Sequence, residues 1–415
     1  ERVYGGGLRV YTTLDHEWQR HAYETVVSTL GPDDPSASIV AVGARGRVRA
    51  MMGGRDFAAS EVNLAVGADG GGSGRQPGSS FKPFALTEAL KQGYSVKASL
   101  PAPSFISLEV PGGEQWEVSG GGGQSSMDLA TATQYSNNVV YAQLMLEAGT
   151  SNVIRTAEDL GIQSEVPEVP SIVLGAGEVS VLDMASAYST FRDRGVHHDP
   201  VVIERVENSR GEVLWEADAS PQQIISEQVA DTVTYALERV VDSGTGTRAN
   251  LTRDTAGKTG TTDDNKDAWF VGYTCEVTTA VWMGYVGREG QPVLPMNNVQ
   301  GVQVQGGNFP AQMWAEFMNR IDPLLAGDCA FNEVYDFPGE TSFADEADDL
   351  VVSEAPVEAE VPEAEPDTTA PPATDPPTPD PPVVRVQPAP DPPAPDPPAP
   401  DPPAPDPPDP GAGAA

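Results

Sequence analysis

The segment 256–286 has the sequence AGKTGTTDDNKDAWFVGYTCEVTTAVWMGYV. Its runs WFVGYT and TTAVWMGYV are rich in β-branched and aromatic residues, so they predict two or three strands near the C-terminal end of the body. Two short apolar runs about an Ala-Arg-Gly-Arg turn predict a hairpin over 36–54, near the N-terminal end. We therefore predict an α+β fold, with one sheet assembled from both ends of the body and a helical region between them.

The other elements follow from the same periodicities. Asp15 is the predicted N-cap of a helix in which Trp18, Ala22, Val26 and Leu30 recur at helical spacing. Further predicted elements are a strand over 8–14, helices over 79–93, 130–149, 181–195 and 310–321, and a hairpin over 201–215.

The charge of the chain argues against one class of function. The 415 residues carry 61 acidic and 24 basic side chains, which gives a formal net charge of −37. Such an acidic surface repels a phosphate backbone, so we expect no nucleic-acid partner.

The C-terminal segment has a composition of its own. Residues 341–415 hold 24 of the 40 prolines and 17 of the acidic residues, and the pentapeptide APDPP occurs four times over 389–408. Such a segment buries little, repels itself and favours extended polyproline II structure. We predict an acidic, proline-rich tail over 331–415 that is disordered from about residue 345. Its composition favours a solvated spacer, with docking to an unknown partner as the alternative.

Two cysteines, Cys275 and Cys329, are present. They are too few for a four-cysteine zinc site, and we expect no metal and no cofactor. They form one disulfide in an oxidising compartment or remain two buried thiols, and the sequence leaves both possibilities open.

The sequence contains no run of about 18 apolar residues, so it predicts no membrane span. The chain begins at Glu1 without a signal segment, so we expect a soluble fragment or processed chain.

Three short motifs carry the predicted chemistry. They are Ser79-Ser80-Phe81-Lys82, Ser136-Asn137-Asn138 and Lys258-Thr259-Gly260, and the third is followed by Thr261-Thr262. Each motif alone is weak, but the chain has only five lysines and two of them lie in these motifs. Their order is that of the penicillin-recognising serine enzymes.

The chemistry of these residues is coherent. Ser79 begins a predicted helix, and Lys82 lies about one turn further on the same face. A serine hydroxyl needs a base, and a lysine can serve when burial or a neighbouring cation such as Lys258 lowers its pKa. The four histidines, at positions 16, 21, 197 and 198, give no support for a Ser-His-Asp triad.

The remaining motif residues have predicted supporting roles. Ser136 would relay a proton to a leaving amine, and Asn138 would hold a substrate amide, although turn or capping chemistry is the ordinary reading of a Ser-Asn pair. Lys258, Thr259 and Thr261 would bind a carboxylate, and the missing side chain of Gly260 would allow a ligand backbone to approach. Backbone N–H groups of Ser79 and Thr261 would form the oxyanion hole.

A phosphate-binding loop is excluded by spacing. That motif requires glycine at position 252 before Gly257-Lys258-Thr259, and the residue there is Thr252.

Because it contains these three motifs in this order, the sequence resembles the transpeptidase module of class A, bifunctional penicillin-binding proteins of the actinobacterial type. The resemblance covers roughly residues 4–322 and includes the blocks GGLRVYTTLD, AMMGGRDF, RQPGSSFKPF, LGAGEVSVLDMASAYSTF and GTGTRANL. It implies a five-stranded antiparallel sheet flanked by helices, plus a mostly helical subdomain, with the active cleft between them. It also implies a linker over 1–35 from an absent glycosyltransferase module and a transpeptidase domain over 36–330.

The resemblance implies a reaction as well. Ser79 would attack the penultimate D-Ala of a peptidoglycan stem ending in D-Ala-D-Ala, with Lys82 as base, and the acyl-enzyme would pass to the amine of a neighbouring stem. β-Lactams would acylate the same serine. The parent protein would be anchored at the extracytoplasmic face of a bacterial membrane.

Three alternatives stay open at this stage. A D,D-carboxypeptidase uses water as acceptor with the same motifs. A β-lactamase needs a deacylating glutamate, yet the stretch 165–180 contains no Glu-x-x-Leu-Asn pattern, and Glu178 lies in a block that transpeptidases share. The third alternative is a non-enzymatic β-lactam-sensing or scaffolding module that works through its tail.

Overall fold

The structure is a computed structural model that describes residues 6–58, 60–218, 220–287, 293–325, 327 and 329–343. The strands within these residues are β1 (Arg9–Thr12), β2 (Ser36–Val42), β3 (Val48–Met52), β4 (Ser99–Ala102), β5 (Phe105–Glu109), β6 (Gln115–Ser119), β7 (Gln124–Asp128), β8 (Val196–His197), β9 (Ile203–Glu207), β10 (Val213–Glu216), β11 (Gln222–Gln223), β12 (Ala256–Thr261), β13 (Asp267–Tyr273) and β14 (Thr278–Gly284). The α-helices are α1 (His16–Thr29), α2 (Lys82–Lys91), α3 (Leu129–Gln134), α4 (Asn138–Ala148), α5 (Thr150–Leu160), α6 (Val181–Arg192), α7 (Glu227–Ser243) and α8 (Phe309–Ile321).

A five-stranded antiparallel sheet forms the centre of the fold, in the order β12-β13-β14-β2-β3. The segment 256–286 supplies three of its strands, and the predicted hairpin supplies the other two. Every residue of β13 and β14 is buried, because helices cover both faces of the sheet. The predicted α+β fold, with one sheet built from both ends of the body, is confirmed.

Two helical layers enclose this sheet. On one face, α1 and α8 pack together, and Trp18, Phe317 and Ile321 join one apolar core. Asp15 caps α1 as predicted, since its side chain accepts hydrogen bonds from the backbone N–H groups of Glu17 and Trp18. On the other face, α6 packs against β14 and β2 and connects the sheet to the helical region.

The helical region surrounds α2, which packs against α4, α5 and α7. The prediction of one continuous helix over 130–149 is wrong. The chain breaks at Ser136, whose φ of 57° is left-handed, and Asn137 caps the new helix α4 by accepting from the N–H of Val140. None of the helices in the described part of the chain has the length and hydropathy needed to span a bilayer.

Residues 329–343, the C-terminal strap, run along the surface of the body. The strap begins at a disulfide between Cys275 and Cys329, whose Cα atoms lie 6.0 Å apart. Its side chains Phe331, Phe337 and Phe343 then pack against the apolar core. The packed part of the chain thus reaches Phe343, whereas the predicted disordered tail from about 345 lies outside the described residues.

We predict that removal of the disulfide destabilises the body. The bridge closes a loop with a sequence separation of 54 residues. Loss of that constraint on the unfolded chain is expected to lower the free energy of unfolding by about 4 kcal/mol. The measurement is urea unfolding of the Cys275→Ser/Cys329→Ser double variant against the wild type without reductant.

Reduced wild type is the control and should match the double variant. Thiol labelling read by intact mass should give no adduct before reduction and two afterwards. Complete labelling of the native protein without reductant would refute the bridge.

Candidate active site

Ser79 lies in a short 3₁₀ turn, Gly78–Phe81, that leads directly into α2. The adjacent Ser80 is fully buried, and its hydroxyl donates to the carbonyl oxygen of Pro77 at 2.7 Å. Ser79 is half-buried instead and lines a cavity of about 220 Å³. Of these two neighbouring serines, it is Ser79 that presents its hydroxyl to a ligand.

Both motif lysines converge on Ser136. Lys82 Nζ donates to the carbonyl oxygen of Ser136 and to Asn138 Oδ1, each at 2.7 Å, and lies 3.3 Å from Ser136 Oγ. Lys258 Nζ donates to Ser136 Oγ at 2.8 Å and to the carbonyl oxygen of Thr259 at 3.1 Å. Both lysine side chains are fully buried, and these acceptors are all neutral.

The backbone at Ser136 makes this convergence possible. The left-handed φ of 57° ends α3 and turns the Ser136 carbonyl oxygen towards Lys82. A non-glycine residue in this region costs about 1–2 kcal/mol. Such strain is typical of functional sites, where the surrounding contacts hold it in place.

Burial sets the protonation of the two lysines. It lowers the pKa of Lys82 well below the ordinary value of 10.5, and the positive charge of Lys258 lowers that pKa further. Burial also lowers the pKa of Lys258, to about 7. A neutral Lys82 amine has a lone pair that can accept a proton. Ser136 Oγ accepts from Lys258, so its own hydrogen is available for donation.

Strand β12 forms the opposite wall of the cavity. Thr259 Oγ1 lies 2.7 Å from Thr245 Oγ1, and Thr261 Oγ1 accepts from the backbone N–H of Gly306 at 3.0 Å. The residues that line the cavity are Ser79, Ser136, Thr245, Thr259, Thr261, Gln305 and Gly307. The side chains among these described lining residues offer hydroxyl and amide groups and no carboxylate, so they favour binding of an anionic ligand group.

Gly260 allows β12 to approach the turn that carries Ser79. A Cβ at position 260 would lie 2.1 Å from the carbonyl oxygen of Pro77. A Cβ at Gly78, where φ is 55°, would lie 2.8 Å from the backbone nitrogen of Thr261. Protein backbone therefore fills the space that a side chain at position 260 would take. The predicted approach of a ligand backbone to Gly260 stays a prediction.

The three sequence motifs thus meet at one cavity. Lys258 lies within β12. The Asn138 side-chain oxygen is engaged by Lys82, and the predicted contact of Asn138 with a substrate amide stays a prediction. The Thr261 peptide abuts the turn of Ser79, which is compatible with the predicted oxyanion hole.

Sequence reasoning missed part of the cavity wall. Thr245, Gln305 and Gly307 line it without belonging to any of the three motifs. Thr245 lies in the block GTGTRANL, which carried the family resemblance but received no role. Nothing in the spacing of 305–307 indicated that this segment reaches the site.

A larger cavity of about 500 Å³ lies elsewhere, between α1 and the loop that follows β3. Its lining includes Tyr23, Val27 and Val62 but neither motif lysine. The largest of these cavities is therefore not the one that the motif residues line, because the half-buried Ser79 and Ser136 lie at the smaller one.

Comparison with known proteins places this site in a family. Residues 37–303 match the family model described as penicillin binding protein transpeptidase domain. The chain is 35% identical over 361 residues to penicillin-binding protein 1A of Mycolicibacterium smegmatis, with 81% of this chain and 43% of the relative covered. It is 36% identical over 366 residues to penicillin-binding protein 1A of Mycobacterium tuberculosis, with 80% and 42% covered.

Solved structures agree with this assignment. The penicillin-binding protein PonA1 from Mycobacterium tuberculosis superposes with a TM-score of 0.71 at 33% identity, covering 82% of this chain and 90% of that one. PonA1 in complex with penicillin V superposes with a TM-score of 0.70 at 32% identity, covering 82% and 92%.

The chain belongs to the family of penicillin-binding protein transpeptidase domains, as its motifs indicated. The predicted fold of that family is confirmed. The chain spans about 43% of the length of the first of these relatives. The predicted boundaries at 35 and 330 stay predictions.

We predict that Gly260→Ala separates β12 from the turn of Ser79. The new Cβ would lie 2.1 Å from a backbone oxygen, which no flexible side chain can relieve. Overpacking of this kind typically lowers the free energy of unfolding by about 1–3 kcal/mol. Urea unfolding measures the change.

Gly327→Ala is the matched control, because a Cβ there meets nothing within 4 Å. It should leave stability close to that of the wild type. Equal stabilities of the two variants would contradict the packing account of Gly260.

Proposed function

We propose that this chain is a serine D-Ala-D-Ala transpeptidase that cross-links peptidoglycan stem peptides and is acylated by β-lactams on Ser79. The observation that carries the proposal is the convergence of Lys82 and Lys258 on Ser136, at the cavity that Ser79 lines. Membership of the transpeptidase family supports the same chemistry.

Acylation begins at Ser79. The neutral amine of Lys82 takes the Ser79 hydroxyl proton as the oxygen attacks the carbonyl carbon of the penultimate D-Ala. The peptide C–N bond then breaks. Ser136 passes its proton to the leaving amine of the terminal D-Ala and takes the proton held by Lys82 in return, so that the Lys82 amine is neutral again. Lys258 supports this relay, since it donates to Ser136 Oγ at 2.8 Å.

Acyl transfer reverses these proton movements. The amine of a neighbouring stem peptide attacks the ester carbon and loses a proton to the Lys82 amine. Lys82 returns that proton to the Ser79 oxygen, which leaves as a hydroxyl. The new amide bond is the cross-link.

The wall formed by β12 binds the substrate in this scheme. Thr259 and Thr261 donate to the terminal carboxylate, and the backbone N–H groups of Ser79 and Thr261 stabilise the tetrahedral oxyanion. Loss of one such donor typically lowers the rate by about 10²–10³-fold. Asn138 holds the substrate amide while its oxygen orients Lys82.

The β-lactam part of the proposal has support from a relative. PonA1 has been solved in complex with penicillin V, and its 32% identity to this chain covers most of both chains. The lack of a carboxylate among the described residues that line the cavity argues against a deacylating base. Glu178 is exposed and is not among those lining residues.

We further propose that the parent protein is anchored at the extracytoplasmic face of a bacterial membrane and carries an N-terminal glycosyltransferase module. The length of the relatives supports this, because more than half of the first of them lies outside the match.

We predict a stable penicilloyl adduct on Ser79. Intact mass after incubation with benzylpenicillin should rise by one molecule of the antibiotic, and peptide mapping should locate it on residue 79. Ser79→Ala should give no adduct, and Lys82→Ala should slow its formation by about 10²–10⁴-fold, because the base is missing.

Ser73→Ala removes an exposed serine close to the turn and serves as the control, with unchanged acylation. An adduct on another residue would refute the proposal. Release of the adduct within seconds would favour the β-lactamase alternative. With a peptide donor that ends in D-Ala-D-Ala and an amine acceptor, hydrolysis without transfer would favour the carboxypeptidase.

We predict that the acylation rate rises with pH as Lys82 loses its proton. The positive charge of Lys258 helps to hold the pKa of Lys82 low. Lys258→Gln removes this repulsion and should shift the acid limb of the pH–rate profile to higher pH. Stopped-flow measurement with a chromogenic cephalosporin from pH 5 to 10 gives the profile.

Lys91→Gln, at the far end of the same helix as Lys82, should leave the midpoint of that limb unchanged. A shift to lower pH in Lys258→Gln, or a rate independent of pH, would contradict Lys82 as the base.

A further inference from the structure

Thr245 lies where the helical region meets the sheet, two residues after the end of α7. Its backbone N–H donates to the carbonyl oxygen of Gln134 at 3.2 Å, and Gln134 is the last residue of α3, two positions before Ser136. Its hydroxyl oxygen lies 2.7 Å from that of Thr259. One residue therefore joins the turn of Ser136 to β12.

Close backbone packing holds Thr245 in this position. A Cβ at Gly307 would lie 2.3 Å from the carbonyl oxygen of Thr245, and a Cβ at Gly244 would lie 2.3 Å from that of Gln134. These short distances mean that the backbone of Gly307 packs directly against Thr245 and that of Gly244 against Gln134. The backbone of Thr245 therefore has no free space into which it could shift. Its hydroxyl is thus held against Thr259 at the cavity wall.

The hydroxyl hydrogens that remain free on the β12 side of the cavity define which ligand group this wall can bind. The hydroxyls of Thr245 and Thr259 share one hydrogen between them, so the pair retains one hydrogen to donate. Thr261 Oγ1 accepts from the backbone N–H of Gly306, which leaves its own hydrogen to donate as well. Two directed donors on one wall match the acceptors of a carboxylate.

We propose that Thr245 is a positioning residue for recognition of the free carboxylate of the ligand, and that it acts by orienting the hydroxyl of Thr259. The proposal rests on the proposed function and adds a specificity determinant to it. Without the Thr245 hydroxyl, Thr259 loses the partner that fixes the direction of its hydrogen.

The test compares benzylpenicillin with its methyl ester, which lacks the carboxylate charge. Thr245→Val should lower the second-order acylation constant for the acid about tenfold and that for the ester by less than about twofold, since a hydrogen bond to a charged group is the stronger one. Thr245→Ser keeps the hydroxyl and should retain the preference for the acid. Thr247→Val, an exposed threonine in the same block, is the matched control.

The outcomes separate the two proposals. Equal losses with acid and ester in Thr245→Val, or a lost preference in Thr245→Ser, would make the role structural and overturn the inference. Thr245→Ala removes the hydroxyl without introducing a second branched methyl group, and its acylation by the acid and by the ester should follow that of Thr245→Val. Thermal unfolding of each variant, measured in parallel, shows whether it is folded. Wild-type protein that neither ligand acylates would overturn the proposed function itself.

Discussion

Two lysine amines buried against a single serine hydroxyl impose the main constraint on this structure. Lys82 and Lys258 have no exposed surface, and both lie within hydrogen-bond distance of Ser136 Oγ. Two ammonium ions in such a place would repel each other without solvent screening, so burial and repulsion favour a neutral amine on Lys82. In the mechanism that we propose, this neutral amine is the base for Ser79.

The fold brings these three side chains together from separate elements. Lys82 is the first residue of α2, in the buried centre of the helical region, while Lys258 belongs to the edge strand β12 of the central sheet. Ser136 lies at the break between α3 and α4. Each group thus comes from a different element, and Gly260 allows the sheet to approach the turn of Ser79 closely enough for them to meet.

The central sheet and three of the site residues could be predicted from residue types and spacing, whereas two features that depend on the tertiary structure could not. The central sheet followed from its β-branched and aromatic runs, and Ser79, Lys82 and Lys258 followed from motif order. The break at Ser136 was missed because apolar residues recur at helical spacing on both sides of it, and that pattern outweighed the turn or capping chemistry that the Ser-Asn pair also indicated. Thr245 was missed because its partner Thr259 becomes a neighbour only through tertiary packing.

Titration of the lysine side chains by NMR would show whether Lys82 carries a neutral amine. The chain contains only five lysines, so a protein labelled at lysine Cε can be assigned with single Lys→Arg variants. We expect the resonance of Lys82 to titrate well below the ordinary value of 10.5, and we expect Lys258→Gln to move its midpoint upwards. A Lys82 side chain that stays protonated up to the ordinary lysine range would contradict the account.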